Sequence, residues 1–210
     1  TGISVDRDGN IYFADALDCT VKKFGPDGRF LKKAGGKGKG PGEFEKTVGV
    51  VAAGETVFAW DVYARMVQVF DRELVYQRTL PVSGTVGALD AFPDGRLVAA
   101  VRESAAIPSL LILSPTGVKL NRMILAESAD PFLVDSVSLA MDPSDGFYLG
   151  FLFSDRVEKR NGRGEPVWSK TPFGGRKASL ESVSGFKIPS GTCIQDLAVD
   201  QQGRLYVLGG

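Results

Sequence analysis

The sequence predicts an all-β chain made of repeated four-stranded antiparallel sheets. Three observations predict it. Short apolar runs of four to seven residues recur along the whole chain, separated by Asp-Gly or Gly-containing turns. Each Asp-Gly pair supplies the positive φ that a tight hairpin needs. The corresponding turn glycines, Gly9, Gly54, Gly95, Gly146 and Gly203, are spaced by 45, 41, 51 and 57 residues. That spacing matches the roughly 40 to 50 residues of one four-stranded propeller blade, with insertions in the later copies.

The first copy pairs Ile3–Asp6 with Ile11–Asp15, then Val21–Phe24 with Phe30–Leu31 across Pro26-Asp27-Gly28. A glycine-rich stretch, 35–42, can be neither helix nor strand and reads as the connection to the next sheet. The second copy has Val48–Val51, Val57–Asp61, Met66–Phe70 and Val75–Leu80. The third has Ala88–Phe92, Arg96–Ala100, Ser109–Leu113 and Val118–Ile124. The fourth has Val137–Asp142, Phe147–Gly150, Val157–Arg160 and Pro166–Trp168. A half copy follows, Ile194–Asp200 and Arg204–Leu208. The inner pair of each copy is mostly apolar without alternation, as strands covered on both faces are. The outer strands carry Lys, Arg, Gln and Glu, which also block edge-to-edge pairing.

The expected architecture is therefore a β-propeller segment, with sheets at roughly 1–34, 45–82, 86–126 and 134–170 and a half sheet at 193–210. Four and a half blades cannot close a ring, and both ends read as strand. The expectation is a piece of a longer chain, with six blades in all.

The bulk composition excludes several classes. Of 210 residues, 43% are hydrophobic, ample for a core. Lys plus Arg equals Asp plus Glu at 25 each, so no global field draws the chain to nucleic acid or acidic lipid. There is no histidine, which removes the commonest metal ligand and the commonest general base at neutral pH. Cys19 and Cys193 form no CxxC pair and read as two small thiols, with a disulfide between them as the alternative. No apolar run is long enough to span a membrane.

The stretch from Gly35 to Asp71 resembles the NHL repeat. Gly42-Glu43-Phe44 matches the linker of that pattern; Asp61, Arg65, Val67, Gln68, Phe70 and Asp71 match the strands. The first copy fits through Asp15, Val21, Lys22 and Phe24, with Asp15 to Val21 spaced like Asp61 to Val67. The third and fourth copies lack the Asp, with Arg102 and Phe151–Phe153 in that region. The resemblance implies a six-bladed NHL-like propeller, and for a bacterial protein an extracellular or periplasmic setting. It is specific for fold and weak for function.

Within it, Asp15 and Asp61 read as structural caps rather than ligands, since a carboxylate at a strand end accepts backbone N–H bonds from the following turn. Gly42 and Phe44 are structural too. The 35–42 run lacks the Gly-Lys-Ser/Thr ending of a phosphate loop and no helix follows it. Seven cations lie between Lys22 and Lys39, opposed only by Asp27, and some NHL propellers bind single-stranded RNA on a basic face. Such binding also needs exposed aromatics, and Phe24 and Phe30 sit at apolar strand positions that read as core.

Propeller hydrolases and lactonases hold a cation on inner-strand carboxylates. Asp90 and Asp196 are the candidates here for a hard cation such as Ca²⁺, because they lie within their strands. Asp6, Asp142 and Asp200, beside turn glycines, read as turn formers; Asp135 is a further inner acid. Propeller lyases rely on histidine.

The leading expectation is a non-catalytic scaffold that binds a protein, peptide or carbohydrate through loops on one face, with no cofactor. The loops are Asp15–Thr20, Asp61–Arg65, Glu103–Pro108 and an insertion at Phe173–Thr192; the candidate contact residues are Arg65, Arg102, Arg176, Lys177 and Phe186.

Overall fold

The computed structural model describes residues 2–103, 108–125, 137–175, 178–183 and 186–210, and all their regular structure is strand. β1 (Ile3–Val5), β2 (Ile11–Asp15), β3 (Thr20–Phe24) and β4 (Phe30–Gly35) form one antiparallel meander. β5 (Thr47–Ala53), β6 (Thr56–Asp61), β7 (Met66–Asp71) and β8 (Tyr76–Pro81) form the second. The third joins β9 (Thr85–Ala91), β10 (Leu97–Arg102), β11 (Pro108–Leu113) and β12 (Lys119–Ile124) in the same consecutive order. The fourth joins β13 (Val137–Asp142), β14 (Gly146–Phe151), β15 (Val157–Asn161) and β16 (Pro166–Lys170). Two-stranded sheets follow: β17 (Leu180–Val183) with β18 (Phe186–Pro189), and β19 (Ile194–Val199) with β20 (Leu205–Gly209). The chain divides into two compact units, Thr1–Val101 with Leu113–Leu120, and Arg102–Ile112 with Asn121–Gly210.

Burial follows position in the sheet. Nearly every residue of β6, β10, β11 and β14 is buried, while β4, β12 and β16 are almost wholly exposed. The first strands are mixed: β1 is exposed at two of its three residues and β19 at three of its six. The inner-pair expectation thus holds for the second strand and shifts for the rest. The two middle strands, flanked by partners on both sides, are the covered ones.

The turn glycines behave as read, with one exchange. Gly9, Gly54, Gly95 and Gly203 have positive φ, but in the fourth sheet Asp145 takes that conformation (φ 64°). Gly146 begins β14 instead, where a Cβ would lie 2.6 Å from the Arg160 carbonyl oxygen. Both cysteines are buried thiols, not joined in a disulfide.

In the first unit, Tyr12, Val21, Phe44, Val57 and Phe70 share one apolar cluster. The 35–42 linker is folded over it. Phe44 is fully buried, its amide donating to the Gly36 carbonyl at 2.9 Å, and a Cβ on Gly35 would meet its ring at 2.9 Å. Gly42 (φ 77°) donates to the Gln68 side chain, whose amide returns a bond to the Glu43 carbonyl at 3.0 Å. The β5–β6 pair is fitted around Trp60. Its registered partner is Gly49, and a Cβ there would fall 2.0 Å from the indole ring.

An ionic plug joins the first two sheets. Asp6 Oδ1 accepts the amides of Asp8 and Asn10, both at 2.9 Å. Its Oδ2 accepts from the Asn10 side chain at 2.9 Å and from Arg72 at 3.0 Å, with the Tyr12 hydroxyl at 3.2 Å. Arg72 belongs to the β7–β8 turn and also pairs with Asp8. Its carbonyl takes the Lys23 ammonium at 2.8 Å, and Lys23 reaches Glu73 at the same distance. Burial pushes the Asp6 carboxyl up, but the bonds from Asn10, Arg72 and Asp8 outweigh it and lower its pKa to about 2.

Two outcomes follow. Gly49→Ala is expected to lower stability by about 1–3 kcal/mol through overpacking against Trp60. The urea midpoint reads this, and a shift in tryptophan emission accompanies it; an unchanged midpoint and spectrum would count against this packing. For Asp6, the folded pKa lies below the unfolded value of about 3.9. The plug's contribution is therefore full above pH ~4 and is lost as pH falls toward 2. Asp6→Asn is expected to cost about 2 kcal/mol at pH 7 and to flatten the acid limb between pH 4 and 2. Equal acid limbs for both proteins, in urea titrations across that range, would contradict the assignment.

Candidate functional site

The second and third strands of the first two sheets are joined by five-residue turns of one design. Each opens on the carboxylate that ends the second strand. Asp61 is fully buried. Its Oδ1 accepts the amides of Tyr63 at 2.7 Å and Ala64 at 2.8 Å; its Oδ2 accepts those of Glu45 at 2.5 Å and Lys46 at 2.8 Å. Asp15 Oδ1 accepts the amides of Leu17 at 2.9 Å and Asp18 at 3.1 Å, and its Oδ2 meets Lys22 at 2.6 Å. The Lys22 ammonium above all, and with it the Asp18 amide, holds the Asp15 carboxyl below its usual range. Each turn closes on a non-glycine residue with positive φ, Cys19 at 54° and Arg65 at 53°. That conformation costs about 1–2 kcal/mol and is held by the surrounding bonds.

Each turn presents one large apolar side chain beside a charged one, Asp18 or Arg65. Leu17 is 97% exposed and Tyr63 is 64% exposed, each two residues past its anchoring Asp. The Lys46 ammonium lies 5.6 Å from the Tyr63 ring centroid, and Arg65, two residues further along the chain, is exposed. The two turns share a support. Cys19 Sγ contacts the Glu45 carbonyl at 3.4 Å, and the Glu45 amide is one of the four bonded to Asp61.

The candidates from sequence fall in several places. Arg65 is in this surface; its carbonyl also takes the Val82 amide at 3.1 Å. Arg102 is exposed at the end of β10. Arg176 and Lys177 lie outside the described residues, as do 104–107 of the Glu103–Pro108 loop and Asp135. Phe186 begins β18, in register with Val183. Asp90 is in β9 in the first unit and bonds the Ala91 amide; Asp196 is in β19 in the second and bonds the Leu197 amide. Among the described residues no three of His, Cys, Asp and Glu gather as a metal site.

Three features escaped the sequence reading. Phe30 is 53% exposed rather than core, because β4 is an edge strand: one side of the ring packs edge-on against Phe24 at 5.7 Å and the rest is open. The basic run is also more heavily paired than it looked. Lys22 meets Asp15 and Asp18, Lys23 meets Glu73, and Lys39 meets Glu45, leaving Arg29, Lys32, Lys33 and Lys37 exposed. The Phe173–Thr192 insertion contains the β17–β18 hairpin. Its base is tied down by Asp155, 2% exposed, which accepts the amides of Phe173 at 2.8 Å and Gly175 at 2.7 Å. This carboxylate stands four residues past the end of β14, too far along for the strand-end pattern to find it.

No protein-family model matches the chain, and no curated protein matches it. Solved structures do. The Cps50 (Swd1) β-propeller domain of Myceliophteria thermophila is 17% identical with a TM-score of 0.63, over 100% of this chain and 62% of that one. A chain in a crystal structure of a nidogen/laminin complex is 18% identical with a TM-score of 0.69, over 99% and 71%. Virginiamycin B lyase of Staphylococcus aureus is 9% identical with a TM-score of 0.63, over 99% and 62%. The chain thus spans less than two thirds of the length of the first of these. At such identities the likeness is one of fold, and it agrees with the sheets described above: the chain is a β-propeller of four-stranded antiparallel blades.

Proposed function

We propose that this chain is a non-catalytic propeller scaffold of the NHL-like, six-bladed kind, and that it binds a peptide segment of a partner protein through its second-to-third strand turns. The observation that carries this reading is the pairing of opposites at Leu17 and Tyr63: strongly exposed apolar side chains on backbone tied down by carboxylates. A surface of this kind is pre-organised, so little ordering cost is paid on binding. Lys46 and Arg65 beside Tyr63 favour a segment that combines apolar residues with acidic ones. The solved nidogen/laminin complex is in keeping with a propeller that serves as a protein-binding surface.

A second reading, single-stranded RNA on β4, has the exposed Phe30 and the four open cations in its favour. Three of the seven basic side chains already paired to carboxylates weigh against it.

Panning a random peptide library on the immobilised chain tests the leading reading. Selected peptides are expected to be rich in apolar and acidic residues, and to lose about tenfold or more in affinity for a Leu17→Ser/Tyr63→Ser double variant, the loss of two exposed anchors. Both substitutions are at exposed positions, so the unfolding free energy is expected to stay within about 0.5 kcal/mol of the parent. Peptides that bind the double variant as well as the parent would overturn the assignment.

A further inference from the structure

The outer strand of the first sheet carries a row of charge that the sheet itself does not answer. β4 is the last strand of a complete four-stranded sheet, so its outer edge pairs with no strand, and five of its six residues are exposed. Cross-strand partners share a face. Two rows therefore run outward through the sheet: Tyr12, Lys23 and Lys32 on one face, Phe13, Lys22 and Lys33 on the other. Like charges directly opposite one another destabilise a sheet, and here two such pairs stand side by side. The inner lysine of each is matched. Lys22 meets Asp15 at 2.6 Å and Asp18 at 2.9 Å; Lys23 meets Glu73 and the Arg72 carbonyl, both at 2.8 Å. The outer lysines, Lys32 and Lys33, are exposed and form no ion pair among the described residues. Arg29 before the strand and Lys37 after it are in the same condition.

The outer strands of the other sheets spend their polar side chains within the molecule. β8 commits Arg78 to the Pro115 carbonyl at 2.9 Å and Thr79 to Gln68 at 2.7 Å. β12 commits Arg122 to Glu103 at 2.7 Å and Asn121 to the Arg163 carbonyl at 2.8 Å. β16 holds the Lys170 ammonium 5.5 Å from the Trp168 ring centroid. On β4 the backbone is open as well. Gly36 donates to the Cys19 carbonyl at 2.9 Å, and antiparallel bonds fall on every second pair. Ala34 and Lys32 are thus the inward-bonding positions, and Lys33 turns its N–H and C=O to the free edge. Phe30 and Leu31, 53% and 41% exposed, precede the lysines.

We propose that β4 receives a fifth strand from a partner protein: an antiparallel segment in which two adjacent carboxylates are followed by two apolar residues. Each carboxylate takes the next place in a row, opposite Lys33 and then Lys32, and turns a like-charge pair into an alternation of sign. The apolar pair lies opposite Leu31 and Phe30. The Lys33 amide and carbonyl supply main-chain bonds, and the charge pattern supplies register. Edge lysines repel a second copy of the same strand, which leaves an acidic strand as the admissible guest. Single-stranded RNA, the competing polyanion, is held by successive stacked aromatics. β4 offers Phe30 alone, and that ring is met edge-on by Phe24 at 5.7 Å. This site does not rest on the turns that carry Leu17 and Tyr63.

The probe is a blocked octapeptide, Ser-Thr-Val-Glu-Glu-Val-Tyr-Ser, added to the isotope-labelled 210-residue chain. Saturable shifts are expected at the β4 amides, together with slowed exchange of the Lys33 amide proton. Affinity is expected to fall about fivefold or more when Gln-Gln replaces Glu-Glu in the peptide, through loss of two cross-strand ion pairs. A Lys32→Gln/Lys33→Gln chain, altered only at exposed positions, should lose as much. The Leu17→Ser/Tyr63→Ser chain should bind the peptide as the parent does. Absence of shifts at β4 up to about 1 mM peptide, the weak end of specific binding, would overturn the proposal. So would equal affinity of the two peptides, binding that leaves the Lys33 amide unslowed, loss of binding in the Leu17→Ser/Tyr63→Ser chain, or an octauridylate that occupies β4 more tightly than the peptide.

Discussion

The structure of the first unit depends on one buried carboxylate. Asp61 sits at the end of β6 with no access to solvent, and a charge in that position is tolerable only if its lone pairs are filled. Four backbone amides fill them, two from the chain entering β5 and two from the chain leaving β6. One side chain therefore fixes both the approach to the sheet and the turn that carries Tyr63. The same approach segment holds Phe44 in the core and meets Cys19 of the neighbouring turn. Asp15 does a lighter version of the same work, with two amides and a lysine.

From this constraint comes a division of labour. Second strands such as β6, β10 and β14 are apolar and covered, and they position the turns. Chemistry collects where strands end. At one set of ends, Asp15 and Asp61 hold apolar tips outward. At the turns between first and second strands, Asp6, Asp142 and Asp200 each stand about 3 Å from the hydroxyl of a tyrosine six residues on. These Asp–Tyr pairs are a shared scaffold. What differs is the cation beside each: Arg72 from a neighbouring sheet, Lys159 from the same sheet, and Arg204 from the same turn. Variation on a repeated frame of this kind is how a propeller acquires particular surfaces without altering its sheets.

Much of this was legible in the sequence, for reasons that can be named. A positive φ demands glycine at most tight turns, so the hairpins announce themselves; the exchange of Gly146 for Asp145 escaped because aspartate tolerates the same conformation. Asp61 was legible because its spacing to Val67 repeats that of Asp15 to Val21. The Asp–Tyr pairs were present as a repeated six-residue interval, but the partner of Asp6 is an arginine of a neighbouring sheet, which no local pattern reveals. Phe30 looked like core because strand alternation cannot tell which face a neighbour covers. Leu17 and Tyr63 were hidden for the opposite reason: as single apolar residues in turns they are unremarkable until the backbone around them is seen to be tied. The β17–β18 hairpin is four residues a side, too short to rise above its glycine-rich surroundings.

The most direct test of this account is amide hydrogen exchange on Asp61→Ala. Removal of one carboxylate should expose the amides of Glu45, Lys46, Tyr63 and Ala64 together. Loss of bonds worth about 1.5–3 kcal/mol each corresponds to a fall in protection of tenfold or more at every one of the four. Amides in the middle of β14, far along the chain, should keep theirs. If the four amides remain as protected in Asp61→Ala as in the parent, the carboxylate is not what holds these turns, and the surface built on them has another cause.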